Sequence, residues 1–340
     1  MRFGYWMPVF GGWLRNVPDE AMSVDWPYLR ALAVESEQAG FDLSLVAELN
    51  LNDIKGHRAP SLDAWTLASA VAAVTERLEL MLAVRPNYHS PALTAKALST
   101  LEVIAPGRTS LNVVSSWWRD EALQYGAPFD VHDARYTRTD EWLEVLTRLL
   151  TEPSVTHHGA LYDLEGCILE PKPARLPTVY MGGESVKAKE VISRRGTAYV
   201  MHGDPPEVIA AKVADMERGR VEAGRPEPFR YGVSGYVIVR DTEAEAQAEL
   251  VRVLDVRSTP EAYASYQDFL AGSQLESQVS LEEYSVSNRG LRAGLVGTPE
   301  QVTARIRAYE EAGVDLMLLQ FSPQREEMAR FGEQVLRAYS

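Results

Sequence analysis

The stretch PTVYMGGESVKAKE, residues 177–190, joins a short apolar run to a helical pattern through Gly182, Gly183 and Ser185. The first N–H groups of a helix lack internal partners, and the helix dipole favours negative charge at that end. Glycines let an anion approach the backbone closely, and a serine adds a hydroxyl donor, so a phosphate fits this junction. A plain helix N-cap at Ser185 after a tight turn explains the same residues. The stretch therefore predicts a strand-to-helix unit that carries a candidate phosphate site.

Strand-like and helix-like patterns alternate on both sides of this junction. Near-continuous apolar runs such as LELMLAVRP, residues 78–86, are typical of parallel strands that are covered on both faces. Amphipathic runs predict the helices between them, including Trp26–Gly40, Pro91–Ile104 and Tyr136–Leu150. About eight strand–helix units in 340 residues predict one α/β domain over residues 1–340, a (β/α)8 TIM barrel with insertions.

The main competitor is a doubly wound parallel sheet, which normally carries a G-x-G-x-x-G loop after its first strand. Here the first predicted strand is followed by PVFGGWLR, residues 8–15, which lacks that spacing. On a barrel, a phosphate site is expected near a late strand and a helix N-terminus, and GGES follows roughly the fifth strand. The barrel is therefore the predicted fold.

Two segments interrupt the alternation. Residues 153–171 alternate like a β-hairpin, with Gly159 at the turn. Residues 256–297 are polar and rich in Ser, Gln and Glu, and we expect them to form a lid over the barrel mouth. Elsewhere, Ser61 is the predicted N-cap of the helix that follows it.

The net charge is −14, from 34 basic and 48 acidic residues. This balance argues against nucleic-acid and anionic-membrane partners, whose binding depends on basic patches. The single cysteine excludes an intramolecular disulfide, and no two of the six histidines have the i, i+4 spacing of a helical metal site. No run is long enough to span a bilayer, and no A-x-A-like cleavage site follows the N-terminus. We therefore expect a soluble cytoplasmic protein without a metal.

Four longer segments together resemble one family. They are residues 85–118, 132–150, 157–185 and 297–321, and they are similar in order and content to the bacterial-luciferase-like, reduced-flavin-dependent monooxygenases. Within that family, the pieces FGYWMPVFGGWLRN, AELNLNDIKG, APSLDAW and LNVVSSWW look most like the dimethyl sulfone monooxygenase group. The resemblance implies a (β/α)8 barrel, FMN used as FMNH2 from a separate NAD(P)H:FMN reductase, and O2 as co-substrate. It also implies a homodimer or homotetramer of barrels.

The resemblance also assigns the cofactor residues. In this family the G-G-x-S segment holds the FMN 5′-phosphate, which matches Gly182, Gly183 and Ser185. A tyrosine that contacts the same phosphate matches Tyr136. Asn112, a polar residue within the apolar strand TSLNVVS, matches an asparagine near the isoalloxazine edge.

The remaining candidates lie at or near predicted strand ends, which share the catalytic face of a barrel. Candidate catalytic residues besides Asn112 are His89, His202 and Tyr236, a further cofactor contact is Ser115, and the candidate substrate-pocket residues are Glu48, Trp117, Trp118, Ser234 and Arg292. We expect Glu48 to orient His57 or the substrate, or to form an ion pair with Arg85. The two adjacent tryptophans can wall a small apolar pocket.

Two departures from the alkanesulfonate enzymes of the family bear on the substrate. Ser234 stands where those relatives have an arginine, and Tyr236 stands where they have a histidine. A buried sulfonate without a paired cation loses hydration that it cannot recover, whereas a neutral sulfone loses much less. The expected reaction is therefore C–S bond cleavage of dimethyl sulfone to methanesulfinate and formaldehyde. Arg292 keeps an alkanesulfonate or methanesulfonate substrate as the alternative.

Two more classes of protein are compatible with parts of this pattern. F420-dependent oxidoreductases share the barrel and its phosphate region, but they bind a polyanionic tail for which an acidic chain is poorly suited. A non-enzymatic flavin-binding relative would retain GGES but lack a lid and a polar pocket.

Overall fold

The computed structural model describes residues 1–255 and 280–339. Its strands, numbered along the chain, are β1 Arg2–Met7, β2 Leu43–Val46, β3 Glu79–Val84, β4 Thr109–Val113, β5 Val155–His158, β6 Asp163–Cys167, β7 Thr178–Met181, β8 Ala198–Met201, β9 Arg230–Val239, β10 Leu295–Gly297 and β11 Leu316–Gln320. Eight of these described strands are parallel and follow one another around the barrel as β1-β2-β3-β4-β7-β8-β9-β11, and β11 pairs with β1 to close it. The prediction of a TIM barrel is confirmed.

The helices alternate with the barrel strands along the chain. They are α1 Trp26–Ala39, α2 Ala64–Ala72, α3 Pro91–Ile104, α4 Arg119–Gln124, α5 His132–Thr151, α6 Val186–Arg195, α7 Pro206–Glu222, α8 Glu243–Leu254, α9 Leu281–Ser285, a 3-10 helix Ser287–Ala293, α10 Pro299–Glu311, α11 Gln324–Phe331, a π-helical turn Gly332–Leu336 and α12 Arg337–Tyr339. No helix in the described part of the chain is both long and apolar enough to cross a membrane.

Local sequence signals set several helix ends. α3 begins at Pro91, as predicted, because a proline at the first helical position lacks only an N–H that would have no partner there. α1 ends before Gly40, whose φ of 97° is the left-handed conformation that glycine adopts without strain. The predicted N-cap Ser61 is wrong. Asp63 caps α2 by accepting the N–H of Thr66 at 2.7 Å, because the helix begins two residues later than Ser61 would require.

The segment after α5 forms an antiparallel pair, β5 with β6. Gly159 lies in the turn between these strands, where its N–H donates to the carbonyl of Tyr162 at 2.9 Å. The carboxylate of Glu141 on α5 accepts the N–H groups of Leu161 and Tyr162 at 3.0 and 2.8 Å. The hairpin is therefore fixed to the helix that precedes it.

The predicted lid falls only partly within the described chain, because residues 256–279 lie outside it. The remainder, residues 280–297, packs on the barrel. β10 pairs in parallel with β9, and Val286 pairs with Leu14 in an isolated bridge. A Cβ on Gly290 would lie 2.9 Å from the backbone nitrogen of Tyr236, so the 3-10 helix presses directly on the end of β9. Residues 280–297 therefore pack against the barrel, and the lid remains a prediction.

Candidate active site

The predicted phosphate residues meet where β7 leads into α6. A Cβ on Gly183 would lie 2.6 Å from the Cβ of Ala188 and 3.3 Å from the hydroxyl oxygen of Tyr136, so α5 and the glycine turn touch. Gly183 has φ +144°, a conformation that favours glycine. Ser185 caps α6 by accepting the N–H of Ala188 at 3.0 Å.

This arrangement, the phosphate cradle, consists of Tyr136, Gly182, Gly183 and Ser185. The cradle has space beside residue 183 because that residue is a glycine, and any side chain there would fill the space that the implied phosphate needs. The first turn of α6 carries no acidic residue, so its N–H groups and dipole are not already neutralised by a side chain on the helix. A phenol, a hydroxyl and exposed helix N–H groups are suitable donors for a phosphate. The residues present therefore fit the phosphate of FMN.

A cluster of alternating charges lies behind the cradle, and we call it the mouth ion cluster. It consists of Glu184, Asp204, Lys212, Glu283, Arg289 and Arg292. Lys212 Nζ lies 2.6 Å from both Glu184 Oε1 and Asp204 Oδ2. Burial acts to raise the pKa of Glu184, but the hydrogen bond and charge of Lys212 outweigh it, and the pKa falls below its ordinary value. Sequence spacing gives no signal for this cluster, since its members lie on five separate segments.

Arg292 belongs to this cluster and does not stand alone as an anion clamp. Its Nη2 lies 2.9 Å from Asp204 Oδ1, and its Nη1 lies 3.1 Å from Glu283 Oε1. Both terminal nitrogens of the guanidinium are therefore paired with carboxylates. His202 lies close enough to Glu184 for its charge to contribute to the lowered pKa of that carboxyl.

Glu48 and His89 form a second network at the mouth. Glu48 Oε1 contacts His89 Nε2, while its Oε2 accepts the backbone N–H of Arg85 at 2.8 Å. The Arg85 guanidinium also donates to both oxygens of Glu121, and the Tyr88 hydroxyl donates to Glu121 Oε2 at 3.1 Å. Burial acts to lower the pKa of Arg85, but Glu121 raises it above its ordinary value. Arg85 and Glu121 were not predicted as a pair, because 36 residues separate them.

The expected ion pair between Glu48 and Arg85 is present, with Glu48 Oε2 and Arg85 Nε 3.4 Å apart, whereas His57 makes its contact elsewhere. His57 packs against the ring of Trp118, with centroids 5.0 Å apart. Trp118 in turn stacks on Trp117, with centroids 5.6 Å apart and planes within 10°. The tryptophan pair is partly exposed at the carboxyl end of β4 and presents an apolar surface there.

Asn112 and Ser115 lie on and just after β4. Asn112 is buried and in register with Ala83 and Tyr180 on the neighbouring strands. The Ser115 hydroxyl accepts a hydrogen bond from the Thr139 hydroxyl of α5 at 2.9 Å. β4 therefore brings an amide and a hydroxyl to the same end of the barrel as the cradle.

Ser234 and Tyr236 face the interior of the barrel. A Cβ on Gly235 would touch Leu295 and Ala293 outside the barrel, so its neighbours on β9 point inwards. Both are buried, and burial raises the pKa of Tyr236, which keeps the hydroxyl protonated. Towards its carboxyl end, the interior surface of β9 therefore carries two hydroxyl groups, from Ser234 and Tyr236.

One interior residue was missed by sequence reasoning. On β1, Phe3 faces outwards, where it packs edge-on against Phe331 and Tyr339 of the C-terminal helices. Because side chains alternate along a strand, Trp6, three residues later, faces inwards. Its Nε1–H is buried without a hydrogen-bond partner among the described residues. An alternating apolar strand gives no sign of such a donor. Within the described ranges, no group of three His, Cys, Asp or Glu residues is arranged to hold a metal ion.

Comparisons with known proteins agree with this geometry. Residues 1–316 match the model of the luciferase-like monooxygenase family. The chain is 33% identical over 348 aligned residues to the FMNH2-dependent dimethylsulfone monooxygenase of Pseudomonas putida, an alignment that covers 99% of this chain and 94% of that relative. The corresponding enzyme of Pseudomonas fluorescens (strain Pf0-1) is 32% identical, with 99% and 93% covered.

Among solved structures, the EDTA monooxygenase EmoA from Chelativorans sp. BNC1 has a TM-score of 0.82 at 18% identity, and the match covers 100% of this chain and 93% of that one. At that identity the likeness shows the shared barrel alone. The family match spans most of the chain, and the long alignments to the two Pseudomonas enzymes agree with it. This protein belongs to the luciferase-like monooxygenase family.

Proposed function

We propose that this chain is an FMNH2-dependent monooxygenase that cleaves the C–S bond of dimethyl sulfone to give methanesulfinate and formaldehyde. It uses O2, and a separate NAD(P)H:FMN reductase supplies the reduced flavin. The two Pseudomonas relatives are named for this activity and align over nearly their whole length. We also infer a cytoplasmic location and a homodimer or homotetramer.

The phosphate cradle supports the cofactor part of the proposal. Tyr136, Gly182, Gly183 and Ser185 would hold the phosphate of FMN through the hydroxyl groups and the α6 N–H groups. When bound, reduced FMN supplies the electrons with which O2 is activated. Asn112, at the carboxyl end of β4, would orient the flavin ring with its amide.

The observation that carries the substrate assignment is the double pairing of Arg292 with Asp204 and Glu283. A sulfonate needs a cation that is free to pair with it, and this arginine already has two partners. Ser234 offers a hydroxyl donor to a neutral sulfone oxygen, and the tryptophan pair offers an apolar wall. This combination suits a small, polar, uncharged molecule.

The proposal is tested by substrate competition in the presence of a flavin reductase, NADH and O2. We expect formaldehyde release from dimethyl sulfone to exceed that from methanesulfonate by more than about tenfold in kcat/KM, since each 1.4 kcal/mol of desolvation gives that factor. A reaction that contains the reductase, NADH and FMN but lacks this protein is the control for free flavin chemistry. Preference for methanesulfonate would overturn the substrate assignment, and anaerobic reduction of F420 would overturn the reaction class.

A further inference from the structure

Arg135 is a buried cation next to the phosphate cradle that the proposed function leaves unused. It lies in the first turn of α5, directly before Tyr136, and the residue is 7% exposed. Within the described chain it forms no ion pair with a carboxylate. Desolvation lowers its pKa, and the carboxylate that opposes this shift, Asp130, is bound by Arg138. A buried guanidinium without a counter-ion is costly, so its contacts need an explanation.

The contacts of Arg135 converge on the loop after β4. One Nη donates to the carbonyl oxygen of Ser116, and the guanidinium carbon lies 5.0 Å from the centre of the Phe129 ring. One turn further along α5, the Thr139 hydroxyl donates to the hydroxyl of Ser115 at 2.9 Å. α5 therefore holds two successive residues of this loop.

The residue that Arg135 holds has an unusual backbone conformation. Ser116 has φ +58°, which is left-handed, and it is buried. A non-glycine residue adopts this conformation at a cost of roughly 1 kcal/mol or more and needs surrounding contacts to keep it there. The conformation at Ser116 sets the direction in which the chain leaves β4. It therefore determines where the next two residues, Trp117 and Trp118, are placed.

A small cavity of about 10 Å³ beside the guanidinium supports the same arrangement. Three buried polar atoms at this position lack a protein partner among the described residues: Arg135 Nε, Ser116 Oγ and Asn87 Oδ1. The cavity has the volume of one water, which would give these atoms a shared partner. The planar fork of arginine can bond a carbonyl, face a water and stack on a ring at once, whereas a lysine ammonium cannot.

We propose that Arg135 is a positioning residue that holds the left-handed turn at Ser116 and thereby fixes the Trp117–Trp118 pair as a wall of the substrate pocket. The pocket role rests on the proposed function, but the placement of the two indoles does not. Because Arg135 and Tyr136 are consecutive on α5, the same end of this helix contributes Tyr136 to the phosphate cradle and positions the tryptophan pair through Arg135.

The test compares Arg135→Met, Arg135→Lys and the control Arg148→Met in the full chain. Arg148 lies on the same helix, is partly exposed, and pairs with Glu152 and a hairpin carbonyl, far from the loop after β4. The first readout is the part of the exciton couplet in circular dichroism that Trp117→Phe removes, because Trp6 and Trp13, with centroids 6.3 Å apart, also couple. The second is the split between KM for dimethyl sulfone and kcat.

We expect Arg135→Met to lose most of the couplet and to raise KM about tenfold to a hundredfold, as misplaced pocket groups do, with a smaller change in kcat. Arg135→Lys should give intermediate values, and Arg148→Met should match the unmodified protein.

A folded Arg135→Met with the full couplet and an unchanged KM would overturn the inference. So would equal losses in Arg148→Met. If Arg135→Met does not fold, Arg135→Lys decides by the same two readouts. Failure of the unmodified protein to oxidise dimethyl sulfone would refute the proposed function alone, since the couplet is measured without substrate.

Discussion

Arg292 and Asp204 form a direct ion pair at the barrel mouth, with Nη2 and Oδ1 2.9 Å apart. The pair links the loop after β8 to the 3-10 helix that covers the end of β9. It also engages Arg292, the residue that we considered from the sequence as a binding partner for a sulfonate. The charge state of this pair should therefore influence which substrates the mouth accepts.

Asp204→Asn should shift the substrate preference towards methanesulfonate. The amide keeps the shape of the side chain but removes one of the two carboxylate charges paired with Arg292, so that only Glu283 still offsets the charge of the guanidinium. We expect the ratio of kcat/KM for dimethyl sulfone over methanesulfonate to fall about tenfold, equivalent to about 1.4 kcal/mol. Competition assays with both substrates measure the ratio, and an unchanged ratio with intact folding would mean that Arg292 does not reach the pocket.

Gly183→Ala should abolish tight FMNH2 binding. The new Cβ would lie 2.6 Å from Ala188 Cβ and would enter the space beside the Tyr136 hydroxyl. Gly166→Ala is the matched control, because Gly166 also has a positive φ, +57°, but has nothing within 4 Å of the position where a Cβ would be built. Both variants should lose about 1 kcal/mol of stability from backbone strain. Anaerobic titration with FMNH2 should separate them, and equal affinities would exclude Gly183 from the site.

Ser185→Ala should weaken FMNH2 binding by about 1–2 kcal/mol through loss of one charge-assisted hydrogen bond. It should also cost about 1 kcal/mol of folding stability, because Ser185 caps α6. Thr242→Ala removes a comparable cap from α8 and should cost similar stability without changing flavin affinity. If the two variants bind FMNH2 equally, Ser185 is a helix cap and nothing more.

Glu184→Gln should change the acid end of the stability profile. The pKa of Glu184 is lowered in the folded state, so its stabilising contribution is complete above the unfolded value of about 4.3 and is lost as pH falls through the folded pKa. Solvent screening limits that contribution to on the order of 1 kcal/mol. Tm should be lower in Glu184→Gln at neutral pH, and the difference should shrink below about pH 4. A difference that is independent of pH would show that Glu184 acts without its charge.

Glu121→Gln should destabilise the fold by about 3 kcal/mol, because it leaves the buried Arg85 with an incomplete counter-charge. Urea unfolding measures the loss. Glu152→Gln, which breaks an exposed pair with Arg148, should cost less than about 1 kcal/mol. Similar losses in both variants would contradict the inference that Glu121 is a main counter-charge of the buried Arg85.

Local physics was sufficient to predict much of the scaffold from the sequence. Pro91 begins α3, Gly40 ends α1, and the apolar run before Gly182 forms β7, because each signal acts over a few residues. The junction at Ser185 was predicted as both a helix cap and a phosphate site, and the cap is present. Ser61 was misassigned because a serine and an aspartate two residues apart compete for the same N-terminus.

The sequence by itself therefore determined the order of strands and helices, the closed barrel and the glycine turn that a phosphate fits. Only the tertiary structure decided which charges are already paired. Arg292 meets Asp204 across 88 positions, and Arg85 meets Glu121 across 36. Closure of the barrel brings the strand ends together and so determines which charges meet. The local periodicity of the sequence does not indicate which distant residues become partners. We expect substrate preference to depend on such pairings, since an ion acts on a ligand with the charge that its neighbours leave unmatched.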